Sequence, residues 1–189
     1  HELSQSLDEI VARRRTVLTD FQDEAYARRY EALVLRVRAA ETAAQSGSEA
    51  LSEAVARNYF RLLAYKDEYE VARLFSDAEF ERTLASTFEG DYRLHFHLAI
   101  PFISRADPNT GMPKKFAYGS WMRLAMKPLA KLKFLRGTAL DVFGRTEERR
   151  LERALIGEYE KTVERLLAGL RADNVAAAVL ASAFPDREI

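Results

Sequence analysis

The sequence predicts a mainly α-helical fold: a helical bundle with a long N-terminal helix and one inserted β-hairpin at about residues 92–118. Three observations carry this. Apolar residues recur at helical spacing over most of the 189 residues, with only 8 Gly and 5 Pro to interrupt them. From Tyr92 to Ile100 the period changes to two, with Tyr92, Leu94, Phe96, Leu98 and Ile100 alternating with Arg93, His95, His97 and Ala99. The run Asp107-Pro108-Asn109-Thr110-Gly111 then supplies turn chemistry before Phe116 and Tyr118 alternate again.

The first element runs from Leu3 to about Ala44. No Gly or Pro breaks it, and Leu7, Ile10, Phe21, Leu33 and Val37 mark an apolar side. As one helix it would be about 60 Å long, unless it is kinked or interrupted. Gln45-Ser46-Gly47-Ser48 ends it, and Ser46 with Glu49 reads as a capping box that opens a second helix to about Tyr65. A short helix follows Lys66-Asp67-Glu68, and Ser76 with Glu79 repeats the capping pattern ahead of Phe80, Leu84 and Phe88. Beyond the hairpin, Ser120 is positioned to cap a helix to Leu135 that buries Trp121, Leu124, Ala125 and Leu132 and is kinked or interrupted at Pro128. Thr146 caps a helix to Leu170 whose first turn holds Glu147 and Glu148, where negative charge is favoured. Asp173 starts a last, Ala-rich helix. No repeat or low-complexity linker divides the chain, so a single domain is expected.

Composition removes several function classes. Hydrophobic residues at 48% against 31% charged fit a globular chain and not a disordered one. No apolar run approaches the length of a membrane span and no signal-peptide pattern opens the chain, so a cytoplasmic location is expected. With no Cys there are no disulfides, thiol nucleophiles or thiolate-ligated zinc or iron–sulfur sites in this segment.

The formal charge is zero but uneven. Met112 to Arg136 holds Lys114, Lys115, Arg123, Lys127, Lys131, Lys133 and Arg136 with no acid, which leaves 22 basic against 29 acidic residues elsewhere. Phe116, Tyr118, Trp121 and Phe134 are interleaved with these cations, a combination also used to hold nucleic-acid strands. A solvated basic face over an apolar one explains the same residues. Lys114, Lys115, Arg123, Lys127 and Lys131 are the candidate docking residues.

Signals for catalysis are poor. His95 and His97 lie on one face of the expected strand and could ligate zinc, but the only other histidine is His1, so carboxylates would have to complete the site. Polar hairpin or interface histidines are the simpler reading. There is no Glu-x-x-His pair for a di-iron centre, no nucleophile elbow around Ser104 or Ser120, and no phosphate loop, since Gly137 and Gly144 have the wrong spacing and no following Lys. Glu158, Glu160 and Glu164, with Arg149, Arg150, Arg153 and Arg165, read as ion pairs on a solvated helix face.

Several stretches are more specific than these local patterns. They are the aromatic-rich run Ala56 to Phe75, Gly90 to Ala99 with Pro101 and Asp107 to Gly111, Leu135-Arg136-Gly137-Thr138-Ala139-Leu140-Asp141, and Phe143-Gly144. Together they resemble the C-terminal domain of the fused bacterial indolepyruvate:ferredoxin oxidoreductases, and Glu148 to Tyr159 extends the likeness. The resemblance implies a mostly helical accessory domain, without catalytic or cofactor-binding residues, cut from a larger enzyme. That enzyme oxidatively decarboxylates an aryl pyruvate, passes the acyl group to coenzyme A and reduces ferredoxin. It would use thiamine diphosphate and 4Fe-4S clusters held in other modules, and would be homo-oligomeric. The chain stops at Ile189 where the family continues, as expected of an excised piece. The implied partners are the other domains of the same polypeptide and ferredoxin, with coenzyme A a further candidate for the basic segment. The alternative is a stand-alone interaction or nucleic-acid-binding module using residues 112–136.

Overall fold

The computed structural model describes residues 6–98 and 114–183. It is mainly helical, with one small two-stranded antiparallel sheet. The chain forms two compact units, one made of His1–Tyr65 and Thr146–Ile189 and the other of Lys66–Arg145.

In the first unit the expected long N-terminal helix is two helices, α1 (Leu7–Phe21) and α2 (Glu24–Ala44). The break needs no Gly or Pro. Asp23 takes an extended conformation, and its carboxylate accepts a hydrogen bond from the Tyr26 N–H at 2.8 Å, so a short acidic side chain starts the new helix. The two helices then pack on one another, with Phe21 stacked on Tyr26. Helix α3 (Ala50–Leu63) does not start at a Ser46 cap. Its first N–H groups are satisfied from the preceding helix, where Glu41 accepts from Leu51 N at 2.9 Å and from Ser52 N at 2.8 Å. Helix α7 (Glu147–Ala168) is capped by Thr146 as expected, and α8 (Val175–Ala181) completes the unit.

The core of this unit contains a stack of phenol rings. Tyr59 lies between Tyr30 and Tyr159, with centroids 6.0 and 5.8 Å away and interplanar angles of 23° and 16°. Such pairs contribute about 0.5–1.5 kcal/mol each beyond the area they bury. Their hydroxyls remain bonded: Tyr30 donates to the Ala56 carbonyl, Tyr59 to Glu160 and Tyr159 to the Ser182 carbonyl. Leu7, Leu18, Phe21, Val34, Leu51 and Leu63 close the core around them.

The second unit holds α4 (Glu68–Ser76), α5 (Ala78–Thr87), strands β1 (Phe96–Leu98) and β2 (Phe116–Tyr118), and α6 (Met122–Lys131), with 3-10 turns at Leu132–Leu135 and Phe143–Arg145. Asp77, not Ser76, caps α5, accepting from Glu79 N at 3.2 Å. Phe96 pairs with Tyr118, His97 with Ala117 and Leu98 with Phe116. The period-two reading therefore holds at its centre, with Phe96 buried and His97 exposed. The strands are shorter than expected, since residues 92–95 are not paired; the Asp107–Gly111 turn and Ser104 lie outside the described residues. Ala72, Phe96, Met122 and Met126 form this unit's core.

Helix α6 corrects the sequence reading of its buried side. Met122 and Met126 face the core, with Leu129 and Ala130 packed against it, while Trp121, Leu124 and Leu132 are exposed. Ser120 is no cap either, since its hydroxyl donates to the Leu94 carbonyl. Pro128 lies inside the helix, which ends one turn later in the tighter 3-10 geometry.

Candidate functional site

Three of the stretches that carry the resemblance, the part of the aromatic-rich run after Tyr65, Leu135–Asp141 and Phe143-Gly144, lie in the second unit and meet there. Asp67 precedes α4, and one of its oxygens caps that helix by accepting from Glu70 N at 2.9 Å. The same carboxylate takes two bonds from Arg136, Nε to Oδ2 at 2.5 Å and Nη2 to Oδ1 at 2.9 Å. The two side chains are only 4% and 5% exposed, so this is a desolvated, two-pronged pair. The Arg136 guanidinium also lies over the Tyr69 ring, 5.6 Å from its centroid.

Tyr69 links this pair to a second carboxylate. Its hydroxyl donates to Asp141 at 3.2 Å, and Asp141 also accepts from Gly137 N at 2.7 Å and Gly144 N at 2.9 Å. Gly137 has φ +75°, the left-handed region that Gly enters without a side-chain penalty, so the loop can turn its N–H toward Asp141. Phe143 meets the Tyr69 ring edge to face at 5.3 Å. Burial, then the neighbouring Asp141 charge and hydrogen bond, push the Tyr69 phenol up to about 12. Asp67, Tyr69, Arg136 and Asp141 thus bind one another and the backbone of their own loops. This arrangement can brace α4 against the Leu135–Gly144 loop; it offers no exposed acid and base pair.

The candidate docking residues have different fates. Lys114, Lys115, Lys127 and Lys131 are exposed. Arg123 pairs with Glu81 of α5, and Arg136, from the same basic segment, is the buried partner of Asp67. The seven cations are therefore not one continuous basic surface. His95 and His97 are both exposed, and among the described residues no group of three His, Asp or Glu could hold a metal ion.

Two grooves mark the first unit. One, of about 530 Å³, runs between α1 and α2 past Leu7, Val11, Val34 and Leu35; its rim cations Arg15 and Arg38 are paired with Glu24, Glu31, Asp8 and Glu49. The other, of about 870 Å³, lies between α2 and α7 over Ala32, Leu33 and Gly157. On its rim Glu160 takes Nε and Nη2 of Arg29 at 2.7 and 2.9 Å together with the Tyr59 hydroxyl. Burial alone would raise the Glu160 carboxyl, but these donors outweigh it and hold it below its ordinary value. Among the described residues no helix is long and apolar enough to cross a membrane.

The sequence reading did not foresee the exposed stripe on α6 or the carboxylate brace. The brace had a signal: Asp67, Arg136 and Asp141 all fall within the most specific stretches of the chain.

No curated protein and no solved structure matches the chain. A family model does, described as a family of unknown function (DUF6537), and it spans residues 7–187. That match takes in both compact units, and the chain belongs to this family.

Proposed function

We propose that this chain is a non-catalytic accessory domain of a 2-oxoacid:ferredoxin oxidoreductase of the indolepyruvate type, acting in the cytoplasm. The observation that carries the reading is the use of the most specific residues. Asp67, Arg136, Gly137 and Asp141, which bear the resemblance, are bonded to each other in a buried brace. Residues that carry chemistry would face a cleft with a free nucleophile or base; these hold a loop in place. Thiamine diphosphate, the 4Fe-4S clusters and coenzyme A would belong to other modules of the enzyme, consistent with a sequence that contains no Cys.

The encoding gene provides the test. A reading frame that carries a thiamine-diphosphate Gly-Asp-Gly motif and cluster-binding cysteines upstream of this segment supports the reading; a frame with neither ends it. A second measurement addresses the non-catalytic role. The purified chain, given indolepyruvate, coenzyme A and oxidised ferredoxin, is expected to show no turnover. Turnover would place chemistry in this chain and overturn the proposal.

A further inference from the structure

Helix α6 has two apolar sides, and only one is used. Met122, Met126, Leu129 and Ala130 pack into the second unit. Trp121, Leu124, Ala125, Pro128 and Leu132 follow one another at intervals of three, one, three and four residues, so Leu124, Ala125 and Pro128 form a second stripe on the helix, continued by Trp121 at its start and Leu132 at its end. All five are exposed, with Trp121 at 60% and Leu124 at 73%. A soluble helix does not ordinarily keep such a contiguous stripe in water.

The charge beside the stripe identifies what covers it. Lys127 and Lys131, three and seven residues after Leu124, border it on one side. Lys114 and Lys115 lead into β2, whose last residue Tyr118 meets Trp121 edge to face at 6.2 Å. None of these four lysines makes an ion pair among the described residues, in contrast to Arg123 and Arg136 of the same segment. An apolar strip edged by unpaired cations is complementary to an acidic surface with an apolar ridge.

We propose that this face of α6 docks a separate acidic protein, transiently, through an apolar ridge flanked by carboxylates. The use of lysine supports a short-lived contact. Lysine is a strongly hydrated point charge on a flexible stem, suited to steering and a wet rim more than to a rigid two-pronged lock. The makeup of the stripe favours a protein over nucleic acid: of its five residues only Trp121 offers a flat ring for a base to stack on, and Leu124, Ala125, Pro128 and Leu132 offer none. The inference stands apart from the parent-enzyme reading, because it rests on α6 alone.

The test uses the whole chain and fluorescent probe peptides. One probe is a designed amphipathic helix with leucines on one face and glutamates beside them; a second has lysine at every glutamate. A labelled oligothymidylate is the third, and sedimentation of the chain alone reports self-association. The acidic helix is expected to bind at least roughly tenfold more tightly than its lysine counterpart, and to weaken as salt rises. Lys127→Glu with Lys131→Glu, and separately Leu124→Ser, should each weaken it about tenfold while leaving the melting temperature unchanged, since these side chains are exposed. The proposal is overturned if the two helices bind alike or not at all, if the oligothymidylate binds more tightly than the acidic helix, or if the chain dimerises through this face in a Leu124-dependent way.

Discussion

Glu41 and Ser52 are joined twice: the Glu41 carboxylate accepts the Ser52 backbone N–H at 2.8 Å and the Ser52 hydroxyl at 2.6 Å. With Leu51 N and the Ser48 hydroxyl also bonded to it, this fully buried carboxylate closes the turn between α2 and α3. Burial by itself would raise its pKa, but the four donors outweigh that and hold the carboxyl below its ordinary 4.5. A carboxyl held low when folded stabilises the protein above its unfolded value, and that contribution disappears as pH falls through the folded value. Glu41→Ala is therefore expected to cost about 1–3 kcal/mol at pH 7, by leaving buried N–H groups without an acceptor. Glu41→Gln should cost less, and should flatten the loss of stability below about pH 4.5. Urea titrations at pH 7 and pH 4 check both.

Removing one member of the Asp67–Arg136 pair should cost more than removing both. Asp67→Ala leaves a buried guanidinium unpaired and α4 uncapped, a loss of about 3–5 kcal/mol. Arg136→Lys is not conservative here, because an ammonium cannot reproduce the two parallel bonds. A double replacement, Asp67→Asn with Arg136→Met, should recover part of the loss. Thermal denaturation of the double variant and of its two component singles, Asp67→Asn and Arg136→Met, gives the coupling energy.

At alkaline pH the tyrosines are the sensitive groups. The Tyr69 phenol is pushed up to about 12 from an ordinary 10.0, mainly by burial, and Tyr30, Tyr59 and Tyr159 are raised chiefly by the same cause. A phenol raised in the folded state contributes stability below its unfolded value and loses it as pH rises toward the folded one. Stability is thus expected to fall between about pH 10 and 12, and absorbance at the phenolate band should report fewer ionised tyrosines in the folded chain than in urea. Tyr69→Phe should shrink the alkaline loss.

On α6, Met126 and Leu124 should respond oppositely to truncation. Met126→Ala opens a cavity in the second unit's core and is expected to cost about 2–5 kcal/mol. Leu124→Ala removes a side chain that is 73% exposed and should change stability by less than about 0.5 kcal/mol. Equal losses at the two positions, measured by chemical denaturation, would reverse the assignment of the helix's faces.

Gly137 is expected to resist substitution although a β-carbon there would meet nothing within 4 Å. Its cost comes from φ +75°, so Gly137→Ala should lose about 1–2 kcal/mol and Gly137→Asn less. Urea midpoints of the two variants order them.

Much of the fold could be read from the sequence because helices announce themselves through local spacing and caps. Thr146 caps α7, and the alternation around Phe96 marks β1. What stayed hidden was supplied across the chain or by residues with more than one use. The α1–α2 break depends on Asp23, which lies in an otherwise continuous helical pattern and carries no Gly or Pro signal. The start of α3 is satisfied by Glu41, ten residues from Leu51, whereas Ser46 matched the local capping pattern and is not used. Helix α6 presents two apolar sides, and periodicity alone could not say which is buried; the choice falls to Met122 and Met126 through packing on Phe96 and Ala72. The brace needed knowledge that Arg136 reaches back 69 positions to Asp67, a distance no window of sequence contains.

The first unit is discontinuous along the chain: its opening three helices precede Lys66, while α7 and α8 follow Arg145. During translation Tyr30 and Tyr59 emerge well before Tyr159, the third member of their stack. At ribosomal rates of roughly 5–20 residues per second, the nascent α1–α3 hairpins wait on the order of ten seconds with that aromatic surface uncovered. The intervening Lys66–Arg145 segment has all of its own core available first. Order of synthesis therefore favours completion of the inserted unit before the flanking one, and makes the half-built helical layer the stage at which a chaperone would have most to hold.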